Sequence, residues 1–566
     1  MGILEGGCIM LRLIVLSLFP LFLLALSCTS TKYSTLVLIN GKVATMDKNN
    51  PWAEAVAING EKIIKVGKNE DIKSLISDKT KIIDLNDRLA IPGFNDAHLH
   101  FVSGGLSLLR VNLQGCTTLD EIKSRIRAKI DELPEGAWII GRGWDHTLFN
   151  KGVWPDKSML DEIAPNNPVF LRRVDGHSVW VNSLALKAAG ITKETTNPLG
   201  GEIVRDTHAG EPTGILTENA IDLVDKVIPE PSKEELTLAI RKALEEARKY
   251  GVTSIQDNSN LGVIDIYKEL LKNGELTVRV SEWLPFDWIN EMKKLDNIRK
   301  KFPKHSNMLR PGLLKGFADG SMGSSTAYFF EPYSDDSTNY GIPLYTQEEL
   351  TELVVKADKA GYQMGIHAIG DKANHMVLNA YEQSIKLNGK RDSRHRIEHA
   401  QVLRSEDIKR FYKLGVIASM QPTHCIDDMR WAESRIGHER CVGAYAWGSF
   451  LDCEAKLAFG TDWPVEPLNP MLGLYSAVTR QSIEKGLPVG GWFPEQRLTV
   501  EETVRAYTLE AAYAEFQETI KGSIEPGKLA DIVILSDDIF TIPPKEILNT
   551  RVVMTILGGK IIYEER

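Results

Sequence analysis

Eight short apolar runs, each closed by polar residues, constrain this chain more than any other feature. The first is Ile91-Pro92-Gly93-Phe94-Asn95-Asp96-Ala97-His98-Leu99-His100. The others are Val252 to Asp257, Val278 to Leu284, Leu313 to Asp319, Met364 to His367, Arg396 to His399, Val416 to Gln421 and Leu457 to Asp462. Helix-start signals lie between several of them. Ser232-Lys233-Glu234-Glu235 reads as a capping box opening a helix that ends at Gly251, and Thr346-Gln347-Glu348-Glu349 opens one that ends at Gly361. Ser405 opens another ending at Gly415, and Thr499-Val500-Glu501-Glu502 starts one after the eighth run. Repeated strand–helix units of this kind predict an α/β fold, a TIM-like (β/α)8 barrel.

The remaining segments attach to that barrel. The stretch between the first two strands is too long for one connection, so residues 105–230 are read as an inserted lobe over the barrel mouth. Residues 36–90 hold short β-like runs separated by Asn40-Gly41 and Asn59-Gly60, and residues 521–566 have the same texture, with Gly558-Gly559 as a turn. Neither end has enough strands for a core of its own. The two ends are therefore expected to pack as one composite β-sandwich, with the barrel occupying 91–520.

At 566 residues the chain is too long for one ordinary domain. Hydrophobic content of 43% and charged content of 25% are those of a globular protein. A net charge of −9 without a long basic run argues against nucleic acid as a partner. Residues 1–28 read as a signal peptide, with Met10 as an alternative start. Ala25-Leu26-Ser27-Cys28 resembles a bacterial lipobox, which implies export and membrane attachment only through a lipid on Cys28. An ordinary cleaved signal is the alternative. Cys116, Cys425, Cys441 and Cys453 contain no Cys-x-x-Cys pair, so a cysteine zinc site is not expected.

Barrel active sites lie at the C-terminal ends of the strands. His98 and His100 are two residues apart, so on a strand both imidazoles face one side. Lys315 closes the fourth strand, His367 the fifth, His399 the sixth and Asp462 the eighth. Each of these is weak alone, since a single strand-end histidine is usually structural; together, in this order, they form a ligand set. Inside the lobe, His177 in Asp175-Gly176-His177 could bond a substrate or serve only structure. Asp319 is a candidate substrate or supporting residue, and Trp144 a candidate pocket wall. His395 and His424 are left without a role.

Taken with Phe317-Ala318-Asp319-Gly320-Ser321-Met322-Gly323-Ser324, His367-Ala368-Ile369-Gly370-Asp371 and Gly460-Thr461-Asp462-Trp463-Pro464, the chain resembles the amidohydrolase superfamily, in particular the amidohydrolase family 3 type that includes N-substituted formamide deformylase. The resemblance spans roughly residues 36–566. It implies that His98 and His100 bind one metal, that His367 and His399 bind a second, and that Asp462 binds the first and moves protons. It further implies that Lys315 is carboxylated and bridges two divalent ions, Zn²⁺ being the natural choice for such ligands. An unmodified Lys315 facing substrate is the alternative. The implied function is hydrolysis of a non-peptide C–N bond of a small molecule by a metal-activated water. The other readings are an ester-like or cyclic bond, or a binding protein that lacks catalysis.

Overall fold

The computed structural model describes residues 33–174, 176–259 and 261–565. Residues 1–28, with the expected signal peptide and Cys28, and Asp175 lie outside the described residues. Among the described residues no helix is long and apolar enough to cross a membrane, and the four remaining cysteines are free.

The eight expected strands form one parallel sheet in chain order. We label them β1 (Phe94–Leu99), β2 (Val252–Asp257), β3 (Arg279–Pro285), β4 (Leu309–Phe317), β5 (Met364–Ala368), β6 (Arg396–His399), β7 (Ile417–Met420) and β8 (Lys456–Phe459). Registers such as Phe317↔His367 and Ala368↔His399 align the strand ends. Past the end of β8 the chain returns to β1, where Asp462 N donates to the His98 carbonyl at 2.7 Å and Thr461 N to Asp96 Oδ1 at 3.0 Å. Gly460 permits this closure, because a Cβ there would stand 2.4 Å from His98 N.

Helices begin where their caps predict. Thr346 and Thr499 form reciprocal capping boxes with Glu349 and Glu502, and Ser232 accepts from Glu235 N. Ser405 differs: it is the first helical residue, and Arg404 occupies the cap position without a side-chain bond.

The two chain ends pack together as expected. One sheet is built only from N-terminal strands, Lys62–Gly67, Ala55–Asn59, Leu36–Ile39 and Lys81–Asp84. The other sheet mixes both ends, with Ile532–Leu535 antiparallel to Leu89–Pro92 through Val533↔Ile91. Their shared core includes Leu38, Val56, Ile58, Ile532 and Ile556. The strand boundary at 91 shifts, however. Ile91 and Pro92 belong to the sandwich, and the chain enters the barrel only after Gly93. Arg279 at the start of β3 ties the two units together, donating to both oxygens of Asp531 at 2.7 and 2.8 Å.

The inserted lobe carries its own six-stranded sheet, running from Gly201–Arg205 at one edge to Val111–Asn112 at the other. Trp144 is a correction to the sequence reading. Its ring is buried in the lobe core with Ile122, Leu171 and Trp180, and its indole N–H donates to the Leu171 carbonyl at 2.8 Å. It is core packing rather than a pocket wall, because the strand is irregular at Gly143, φ 95°, which brings Trp144 into the same core as Ile139.

Candidate active site

At the C-terminal pole of the barrel, histidines from three strands and a helix surround one carboxylate. His98 is buried, and its Nδ1 lies 2.7 Å from Glu398 Oε2. His100 places its Nδ1 2.9 Å from the Asn258 carbonyl. An acceptor on Nδ1 fixes the tautomer and leaves the Nε2 lone pair free to ligate. Both Nε2 atoms then face Asp462 Oδ1, at 3.6 Å from His98 and 3.3 Å from His100.

His399 lies beside this pair, its ring centroid 5.0 Å from that of His98 and 4.5 Å from that of His367. The remaining neighbour is His424, on the helix Pro422–Asp428 that follows β7, with Nε2 3.6 Å from Asp462 Oδ2. Two groups can hold a metal ion: His98, His100 and Asp462, and His399, His424 and Asp462. Asp462 is common to both.

Backbone strain accompanies these positions. His399 has φ 71° and Asp462 has φ 58°, in the left-handed region that costs non-glycine residues about 1–3 kcal/mol. The Asp462 conformation is held by its own N–H bond to His98 O and by Val465 N donating to its carbonyl at 2.8 Å.

A divalent metal fits these residues. His399 Nδ1, His424 Nε2 and Asp462 Oδ1 are buried without a hydrogen-bond partner, as is Lys315 Nζ. Such groups are rare because each forfeits its hydration. Imidazole nitrogens and a carboxylate oxygen turned to one point are the donor types that zinc and similar ions take.

The electrostatics match that reading. Burial lowers the pKa of His367 to about 3, helped by the Lys315 charge, and pushes that of His399 well down. Both imidazoles are therefore neutral at pH 7, the ligating form. Burial lowers Lys315 to about 8 against the opposing pull of Glu398 and Asp462. Burial also pushes the Asp462 carboxyl up, but the facing imidazoles of His100, His98, His399 and His424 outweigh it and hold it well below the ordinary carboxylate range.

Three expected residues stand elsewhere. Asp319 is a positioning residue: its carboxylate accepts from Tyr328 N at 2.8 Å, Ile369 N at 3.0 Å and Gly370 N at 2.8 Å, tying the loops after β4 and β5 together. His177 has a side chain 50% exposed on the lobe and lies 3.1 Å from Glu218, so its partner is in the lobe rather than in the cluster. His367 adjoins His399, but its Nε2 is taken by the Gly320 carbonyl at 2.9 Å, leaving Nδ1 as the nitrogen that could ligate.

Glu398, Arg396 and His424 had no assigned role in the sequence reading. Arg396 and Glu398 alternate on β6, so both point inward, and they pair at 2.8 Å while fully buried. That parity was a usable signal. His424 carried none, because it sits on a helix rather than at a strand end. His395 is structural, bonded to Asp358 at 3.2 Å and stacked on Tyr381.

Comparison with known proteins identifies the family. Residues 81–563 match the model of a family described as the amidohydrolase family. The chain is 37% identical to Protein LONG AFTER FAR-RED 3 of Arabidopsis thaliana, over 93% of this chain and 91% of that protein. It is 27% identical to the N-substituted formamide deformylase of Arthrobacter pascens, over 94% of this chain and 99% of that one. An uncharacterized metal-dependent hydrolase from Pyrococcus horikoshii superposes with a TM-score of 0.75 at 28% identity, covering 90% of this chain and 99% of the other.

Proposed function

The chain belongs to the amidohydrolase family and is a metal-dependent hydrolase; from that premise we propose that it cleaves the C–N bond of a small non-peptide amide of the N-substituted formamide type. The observation that carries this reading is the buried pole where His98, His100, His399, His424 and Asp462 converge with unpartnered donor atoms. The deformylase relative, matched along almost its whole length, supports the formamide class.

A bound divalent ion supplies a Lewis acid for the carbonyl oxygen and lowers the pKa of a water from ~16 towards ~7. His98 and His100 hold their Nε2 atoms ready through Glu398 and the Asn258 carbonyl. Asp462 stays ionised at neutral pH and accepts the water proton as a general base, then returns it to the departing nitrogen. Water adds its oxygen to the carbonyl carbon, the C–N bond breaks, and a formamide gives formate and an amine.

Lys315 completes the proposal. Its buried, unpartnered Nζ, with a pKa lowered to about 8, retains a neutral fraction able to form an N–C bond to carbon dioxide with loss of a proton, giving a carboxylate that would serve as a further metal ligand. Lys315→Ala is then expected to retain fewer metal ions than the wild type.

The test is a panel of N-alkyl and N-aryl formamides beside esters and cyclic amides of matched size, with zinc-loaded protein. Formate and amine release, absent from the ester and cyclic sets, is expected. Turnover of only the esters would overturn the C–N assignment, and turnover of only the cyclic amides would overturn the formamide class.

A further inference from the structure

The two metal-holding groups share one carboxylate, and its two oxygens divide between them. Asp462 Oδ1 faces His98 at 3.6 Å and His100 at 3.3 Å, while Oδ2 faces His424 at 3.6 Å. We propose that Asp462 is the shared carboxylate of a two-cation centre and that His424, together with His399, is a ligand of the second cation. This rests on the metal-dependent reading above.

The spacings favour ligation over hydrogen bonding. At 3.6 Å the His424–Asp462 contact is long for a hydrogen bond, and His424 Nε2 has no other partner although buried. Two donor atoms each about 2.1 Å from one tetrahedral ion stand about 3.4 Å apart. The contacts of Asp462 with His98, His100 and His424 all fall near that value. His399 adds a second orphan in the same place: the residue is 6% exposed, and its Nδ1 is buried and unpartnered.

The second position is also built on rigid elements. His424 lies on a helix that begins directly after β7, with Pro422 in its first turn. On the same helix, Asp428 accepts from Tyr445 at 2.6 Å and from Gln401 at 2.8 Å, which anchors the helix over the pole. His399 is held at the end of β6 in its left-handed conformation. Ligands on such supports do not need to reorganise to receive an ion.

The experiment is zinc content per chain, with zinc affinity from competition against a chromophoric chelator, for the full chain and for His424→Asn. His375→Asn, outside the cluster, is the control. Cobalt(II) absorption of the same proteins gives a second readout that does not depend on turnover. The expected result is two zinc ions in the wild type and the control, and one in His424→Asn with a reduced cobalt spectrum. His424→Gln serves if the Asn variant does not fold. Unchanged zinc count and affinity in the His424 variants would overturn the assignment, as would a wild-type count of one. If those results came with a wild type that binds zinc and hydrolyses formamides, the ligand assignment alone would fall. A wild type that binds no zinc would remove the metal-dependent reading as well.

Discussion

Asp462→Asn is expected to lower turnover by at least about 10²–10⁴-fold, the range for loss of a general base, while the chain still folds. The amide keeps the volume of the carboxylate, and the backbone bonds that hold the residue, Asp462 N to His98 O at 2.7 Å and Val465 N to its carbonyl at 2.8 Å, are untouched. What disappears is the negative charge facing His98, His100 and His424, and with it both the proton acceptor and a ligand common to the two metal-holding groups. Circular dichroism and product release on the same preparation check this. Near-normal turnover in a folded variant would remove Asp462 from the chemistry.

Glu398→Ala has the largest expected effect on stability. Glu398 pairs with Arg396 at 2.8 Å, with both side chains fully buried, and it also accepts from His98 Nδ1 at 2.7 Å. Truncating it leaves the Arg396 guanidinium inside the barrel without its counter-charge, a loss of about 3–5 kcal/mol. The bonds from Arg396 to Ala97 O and Ser419 Oγ, both at 2.7 Å, satisfy hydrogens but supply no negative charge. His98 also loses the partner that sets its tautomer, so zinc affinity should fall about 10–100-fold.

The pH dependence of that loss has a definite sign. Burial pushes the Glu398 carboxyl up, but the Arg396 charge and the His98 bond outweigh it and bring its pKa to about 2. A carboxyl whose folded pKa lies below its unfolded value, about 4.3, stabilises fully above that value and stops doing so as pH falls through about 2. The gap in urea stability between wild type and Glu398→Ala should therefore be complete at neutral pH and narrow between about pH 4 and pH 2. Replacing Arg396 and Glu398 together with Met and Leu should cost far less stability than Glu398→Ala alone. Equal losses in the single and double variants would show that packing, not charge, sets the effect.

Much of this arrangement was legible in the sequence because strands expose their logic. Alternation places His98 and His100 on one side, and a polar residue closing each apolar run marks the catalytic pole of a barrel. The cap residues Thr346 and Thr499 located helix starts because their bonds are local. The two-ended sandwich followed from strands too few at either terminus to stand alone.

What was hidden depended on tertiary placement. Ile91 and Pro92 read as the start of the first barrel strand, yet the break at Gly93 assigns them to the sandwich, where Ile532–Leu535 pairs with them. Trp144 read as a pocket residue, but the lobe surrounds it with Leu171 and Trp180. Asp96 shares a strand with the two histidines, yet its carboxylate is occupied by the Thr461 hydroxyl at 2.5 Å and by backbone N–H groups. His424 reaches the cluster from a helix, so no strand periodicity announces it.

Metal content per chain is the decisive measurement for a two-metal hydrolase. The purified protein would be stripped with chelator, rebuilt with zinc and bicarbonate, freed of loose ions and measured by elemental mass spectrometry, alongside Lys315→Ala. Two zinc ions are expected in the wild type and one or none in Lys315→Ala, with hydrolysis that disappears on stripping and returns on rebuilding. A wild-type chain that holds no metal after this treatment, or that hydrolyses its substrate equally well when stripped, would contradict it.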